Sequence, residues 1–177
     1  MLEIILLLVA VALAAFAVLA WRQPDTFSVS RSLAMAAPAS AVFAQVNDLR
    51  KWEAWSPWAK LDPKAQNSFE GPDAGVGAVM RWSGNNQVGQ GSMAIVDSRP
   101  DSFIRFSLEF LKPFKASNVA EFSFAEAGSE TVVTWTMSGR NNVVGKAMSV
   151  LMNCDNMVGG QFEQGLAAIK RIVEAGA

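Results

Sequence analysis

The sequence predicts an α+β protein: a curved antiparallel β-sheet wrapped on a long C-terminal α-helix, plus an N-terminal transmembrane helix. Three observations carry this. Ile4 to Trp21 is an unbroken uncharged run. From Gly77 to Ser138, apolar and polar residues alternate in blocks separated by turn residues. Val158, Phe162, Leu166, Ile169 and Val173 then recur at spacings of three and four, which is one stripe of a helix.

The first run makes a helix of about 27 Å, close to the hydrocarbon thickness of a bilayer. Glu3 precedes it, Arg22 follows it, and Pro24 stops it. Residues 1–23 therefore read as a transmembrane anchor and 25–177 as one domain. The alternative is a cleaved secretory signal, which wants a positive start and a shorter apolar stretch. No Lys or Arg precedes Arg22, and the small-residue pairs Ala12/Ala14 and Ala15/Ala17 lie inside the run. A buried core helix would show a polar face, and none interrupts Ile4–Ala20. Arg22 and Arg31 follow the helix, so the positive-inside rule favours a single-pass topology with the domain on the cytoplasmic side.

Composition excludes several function classes. The chain carries 15 basic and 16 acidic side chains, a net charge of −1. A nucleic-acid binder needs a basic excess or stripe, and neither is present. There is no His and no Tyr. The commonest general base, the commonest metal ligand and every Ser-His or Cys-His pair are thereby removed. Any catalysis must run on Asp, Glu, Lys, Arg, water or a bound group. No metal and no cofactor is expected: zinc ligands are lacking, and Gly75–Met80 and Gly89–Gly91 do not form a nucleotide loop. Cys154 is the single cysteine, so no intramolecular disulfide forms. It lacks a nearby activating cation and reads as structural.

The elements follow in order. Phe27, Val29, Leu33 and Met35 alternate with small polar residues, predicting a strand with Arg31 on the apolar side. Ala37-Pro38-Ala39-Ser40 opens a helix with Val42, Phe43 and Val46 on one stripe. Trp52, Trp55 and Trp58 mark a second helical stretch, ended at Ser56-Pro57. About six strands follow the helices. Those named by alternation are Gly77–Ser83, Gly91–Asp97, Phe103–Leu111, Phe114–Phe124 and Thr131–Ser138, with turns at Gly84-Asn85-Asn86, Pro100-Asp101 and Ala127-Gly128-Ser129. The last strands read as an antiparallel meander. Gly159-Gly160 and Gly165 interrupt the closing helix, so they kink it or admit a close neighbour. A sheet gripping the helix commonly leaves an apolar cavity between the two.

Three segments carry a resemblance. They are Val29-Ser-Arg31-Ser-Leu33 with Ala37-Pro38-Ala39-Ser-Ala-Val42-Phe43, then Trp52-Glu-Ala-Trp55-Ser56-Pro57-Trp58, then Met157–Lys170. The domain resembles the START-like (SRPBCC, polyketide cyclase/dehydrase and lipid-transport) superfamily over essentially all of residues 25–177. The resemblance implies a helix-grip fold that holds an apolar ligand between sheet and helix. It does not imply one activity, because lipid carriers, aromatic cyclases, hormone receptors and chaperone activators share the fold.

The candidate ligand-binding residues follow from face and chemistry. Trp55 and Trp58, with Trp52, form either an aromatic gate or a seal of the small helices on the sheet. Arg31, with Arg81 and Arg105, offers either a polar floor for a ligand or cross-strand ion pairs, with Glu109 and Glu121 as partners. Asn118 shares the parity of Ala120 and Phe122, as a ligand contact or a satisfied core amide. Phe106, Phe122, Trp135, Phe162 and Leu166 are the expected wall. Three functions stand open: membrane-tethered binding of a hydrophobic small molecule or lipid; a cyclase in which Arg31 or Arg105 stabilises an enolate and Glu109 or Glu121 moves a proton; and an interaction module whose cavity is filled.

Overall fold

A computed structural model describes residues 1–141, 143–151 and 154–176, without the side chains of 144, 148, 151 and 154. The reading of Cys154 as structural therefore lies outside the described side chains. Helix α1 spans Leu2–Trp21 and buries none of its residues. It is long and apolar enough to cross a membrane. Strand β1 (Thr26–Met35) follows after only four residues, and then α2 (Ala39–Asn47), a 3₁₀ turn (Leu49–Lys51), α3 (Trp52–Trp55) and α4 (Pro57–Leu61). Pro57 opens α4 instead of merely ending a helix, because the first helical turn has no use for a proline N–H.

Six strands come next: β2 (Gln66–Glu70), β3 (Val79–Ser83), β4 (Gln90–Arg99), β5 (Phe103–Lys112), β6 (Ala116–Ala127) and β7 (Glu130–Arg140). They form one antiparallel sheet with β1, in the order β1-β7-β6-β5-β4-β3-β2. Strand β2 escapes the alternation rule because it is a short edge strand whose five residues are all exposed. Two register shifts, at Gln90/Gly91 and Ile95/Asp97, interrupt the β4–β5 ladder. Bulges of this kind bend the strand and increase its twist, which suits a sheet that must wrap.

Helix α5 (Val143–Leu151), which the sequence pattern does not anticipate, packs against α1. Helix α6 (Cys154–Ala175) lies against β1, β7 and the short helices, so sheet and helix enclose one core. Its stripe is buried as expected: Phe162, Leu166 and Ile169 are each at most 1% exposed and Val173 5%. The core is thus the inner face of β1 and β4–β7, closed by α6 and by α2–α4.

Candidate functional site

The space between sheet and α6 is occupied by rings. Trp135 on β7 stacks on Phe162 of α6 with centroids 4.1 Å apart and planes 9° off parallel. Phe122 stacks on Trp135 at 4.7 Å. Trp52, Trp55 and Trp58 approach Trp135 edge-on at 6.0, 5.7 and 5.8 Å. Phe106 meets Trp52 and Phe122 edge-on, and Leu166 is fully buried nearby in the same core. Offset-stacked and edge-on pairs of this kind add to the burial of large side chains.

Two of the tryptophans are tied to the backbone of α2. Trp52 Nε1 donates to Val46 O at 2.9 Å and Trp55 Nε1 to Gln45 O at 3.1 Å. Both accepting carbonyls belong to the last turn of α2, where helical carbonyls lack intrahelical partners. The pair thereby seals α2 and α3 onto the sheet. Trp58 is only partly buried and sits at the edge of the stack.

Glycines on α6 make the close approach possible. A Cβ on Gly165 would stand 2.8 Å from the Trp135 ring. One on Gly159 would stand 2.1 Å from Arg31 Nη2. The glycines leave α6 continuous from Cys154 to Ala175, and each admits a side chain from the sheet.

Arg31 lies on the inner side of β1, as its parity predicts, but its partners are not Glu109 or Glu121. Its Nε donates to Glu163 Oε1 at 2.8 Å and its Nη2 to Asp155 Oδ2 at 2.9 Å. Nη1 donates to Ser30 O at 2.8 Å. The guanidinium holds the Asp155 carboxyl below its ordinary value, chiefly through this hydrogen bond. Its hydrogen bonds to Asp155 and Glu163 in turn raise the guanidinium pKa. Arg31 is therefore a clamp between β1 and α6. Asp155, Gly159 and Glu163 are spaced by four, on one helical stripe, and that was the signal in the sequence for this clamp.

Arg105 requires a correction. It alternates with the buried Ile104 and Phe106, so it projects from the outer face and donates to Glu121 Oε1 at 2.7 Å. Glu109 is on that outer face too and accepts from Ser117 Oγ at 2.5 Å. Arg81 pairs with Glu70 at 2.9 Å. None of these groups reaches the space between sheet and helix, so the Arg105–Glu109/Glu121 acid–base set does not assemble there. An open depression of about 380 Å³ involves Arg81, Trp82, Gln90 and Leu111 on the far strands, with no residue of α6.

Two inner-face polar atoms stand apart. Among the described residues, Asn118 Oδ1 and Trp135 Nε1 are the buried side-chain atoms without a hydrogen-bond partner. Asn118 is thus not the satisfied core amide. It lies across Gly139, where an added Cβ would be 2.0 Å from its Oδ1. The register sets Asn118 opposite Gly139 and Phe122 opposite Trp135, with the Ala120–Met137 pair between them. The two orphan groups therefore share one face of one strand pair, roughly 13 Å apart along it by strand rise. Ala120 is small and Met137 is partly buried and flexible, so this interval is the part of the inner face that can be reshaped.

A curved antiparallel sheet closed by a C-terminal helix, with an apolar inner face and an internal donor and acceptor, defines a helix-grip protein. The chain belongs to the polyketide cyclase/dehydrase and lipid transport family, whose model matches residues 26–174. Solved structures share the fold. Protein MLL2253 from Mesorhizobium loti is 12% identical with a TM-score of 0.63, over 84% of this chain and 98% of its own. Protein Ms6760 from Mycobacterium smegmatis is 18% identical with a TM-score of 0.60, over 88% of this chain and 96% of its own. The di-domain ARO/CYC BexL from the BE-7585A biosynthetic pathway is 18% identical with a TM-score of 0.62, over 88% of this chain and 52% of its own. At such identities the likeness establishes the fold alone. No curated protein matches the chain at a significant level.

Proposed function

We propose that this chain is a membrane-tethered binding protein for an apolar small molecule or lipid bearing one hydrogen-bond acceptor and one donor. The observation that carries this reading is the orphan pair, Trp135 Nε1 and Asn118 Oδ1. An unpaired buried polar group costs about 1–3 kcal/mol, so a fold retains two on one face at a penalty that a ligand removes. The ligand accepts from the indole at one end, donates to the amide at the other, and displaces the Met137 side chain between them. Its apolar body contributes about 0.8 kcal/mol per buried methylene, which gives useful affinity without chemistry. Family membership supports the reading, and α1 would hold the domain beside a reservoir of such molecules.

A second reading has its own observation. The 4.1 Å Trp135–Phe162 stack fills the space where relatives of this fold would hold a ligand, as in an interaction module with a closed core. Native mass spectrometry of the full chain released from mild detergent separates the two. The binding reading expects a copurified apolar mass whose occupancy falls about tenfold in Asn118→Leu, the equivalent of one lost hydrogen bond. A chain that stays apo with added fatty acids and phospholipids establishes the closed module instead. Ring closure of a supplied polyketide chain would establish a cyclase.

A further inference from the structure

The end of the sheet next to α1 carries a feature that the ligand site does not use. We propose that the end of β5 and the β5–β6 turn, Leu111–Lys115, dock on an anionic phospholipid surface, with Phe114 entering the headgroup region. This rests on the reading of α1 as a membrane anchor.

The connection from α1 to β1 is short and fixed. Asn141 N donates to Asp25 O at 2.8 Å, and Asn141 Nδ2 donates to Pro24 O at 3.0 Å. Lys146 of α5 forms an ion pair with Asp25, and α5 packs against α1. The residues just past β7 and the N-terminal part of α5 are thereby tied to the Pro24-Asp25 connection between α1 and β1. These bonds give the connection fixed partners on the domain side.

The register carries that level across the sheet. Thr26 pairs with Arg140, Gly139 with Asn118, and Ala116 with Phe110. The turn between β5 and β6 emerges at the same end, three strands from β1, roughly 14 Å away by strand spacing. Phe114 stands two residues beyond Ala116, level with the connection that leaves α1. Trp21, 84% exposed, ends α1 just before this connection, and tryptophan favours the membrane interface.

The chemistry of the turn fits that position. Leu111 is 49% and Phe114 57% exposed, and Lys112 and Lys115 are exposed beside them. An aromatic wedge between lysines is matched to acyl chains below and phosphates above. Alternation extends a strand through Phe114, but β6 begins only at Ala116, which leaves Phe114 at the tip. The hairpin turns at the far end, Pro100-Asp101-Ser102 and Ala127-Gly128-Ser129, carry neither an aromatic residue nor a lysine.

The test uses the full chain in vesicles of phosphatidylcholine and phosphatidylglycerol. Cys154→Ser removes the single cysteine, and Phe114→Cys, Ala10→Cys and Ser129→Cys each supply one labelling site for an environment-sensitive fluorophore. Lipids bearing a nitroxide on the acyl chain report depth by quenching. The proposal expects strong quenching at positions 10 and 114 and none at 129, with Lys112→Glu/Lys115→Glu lowering quenching at 114 by about threefold. Quenching at 10 but not at 114 overturns the docking and leaves the anchor standing. An unquenched label at 10 overturns the anchor and the docking together.

Discussion

The two ends of the inner face are built differently. Toward the short helices, Trp52, Trp55, Phe106, Phe122, Trp135 and Phe162 are each at most 5% exposed and interlock ring on ring. Trp52 and Trp55 also have their N–H groups satisfied by α2. Toward α1, Phe27, Trp82, Leu108 and Met137 are only partly buried, and Asn118 keeps an unpaired carbonyl among them. The first end is a stable core of rigid groups. The second has fewer rigid contacts and an unmet polar demand, and it lies at the end of the sheet where β1 begins. Trp135 joins the two, with its ring in the packed end and its N–H unpaired. Rigid packing and unmet polar demand are therefore divided along one strand pair.

The largest test of this division is Trp135→Ala. It removes the ring between Phe122 and Phe162 and should cost about 3–5 kcal/mol, read from denaturant unfolding in detergent. Met137→Ala, at the open end of the same strand, should cost clearly less; equal losses would erase the distinction. Gly165→Ala comes next. Its new methyl meets a rigid indole at 2.8 Å, and the overpacking cost of about 1–3 kcal/mol outweighs the gain in helix propensity. A stabilised variant would mean that Trp135 is free to move away from α6.

Acid should then act on the two points that tie elements together. Asp155 and Asp25 are held below the ordinary carboxylate value by Arg31 and Lys146, chiefly through hydrogen bonds. A depressed carboxyl stabilises the fold above its unfolded pKa, about 3.9, and that contribution is lost as pH falls through the lower folded value. The melting temperature should therefore drop from about pH 5 downward, and Arg31→Met should flatten the drop. An unchanged slope would mean that the clamp contributes little. The smallest effect belongs to Arg105→Met. Its outer-face pair with Glu121 is half exposed, so stability should change by less than about 1 kcal/mol and ligand occupancy not at all.

Side-chain periodicity revealed most of the fold because each element buries one face. The strands from Gly77 onward, the α2 stripe and the Phe162–Val173 stripe all signal themselves this way. Strand β2 does not, since it has no buried side, and α5 packs against α1, a partner that local periodicity does not name. The candidate site was legible in which residues share a face but not in how their side chains are partnered. Asn118, Trp135 and Phe162 could be selected from parity and resemblance, whereas their state depends on neighbours far away in the chain. Arg105 illustrates the limit: its residue type suggested an anion site, and a one-residue step in parity put it outside. Glu163 and Asp155, which neutralise Arg31, lie more than a hundred residues from it, and only their spacing around Gly159 hinted at the contact.

The sequence by itself determined the apolar N-terminal helix, the curved sheet closed by a C-terminal helix, and the absence of any imidazole or phenol chemistry, because composition and local periodicity are properties of neighbouring residues. Only the tertiary structure decided that rings fill the space beneath α6, that Arg31 is spent on the helix, and that Asn118 and Trp135 are left unpaired on one face. Whether a buried polar atom finds a partner is set by which strands and helices meet, and at what register. Two distant segments must come together before that question has an answer.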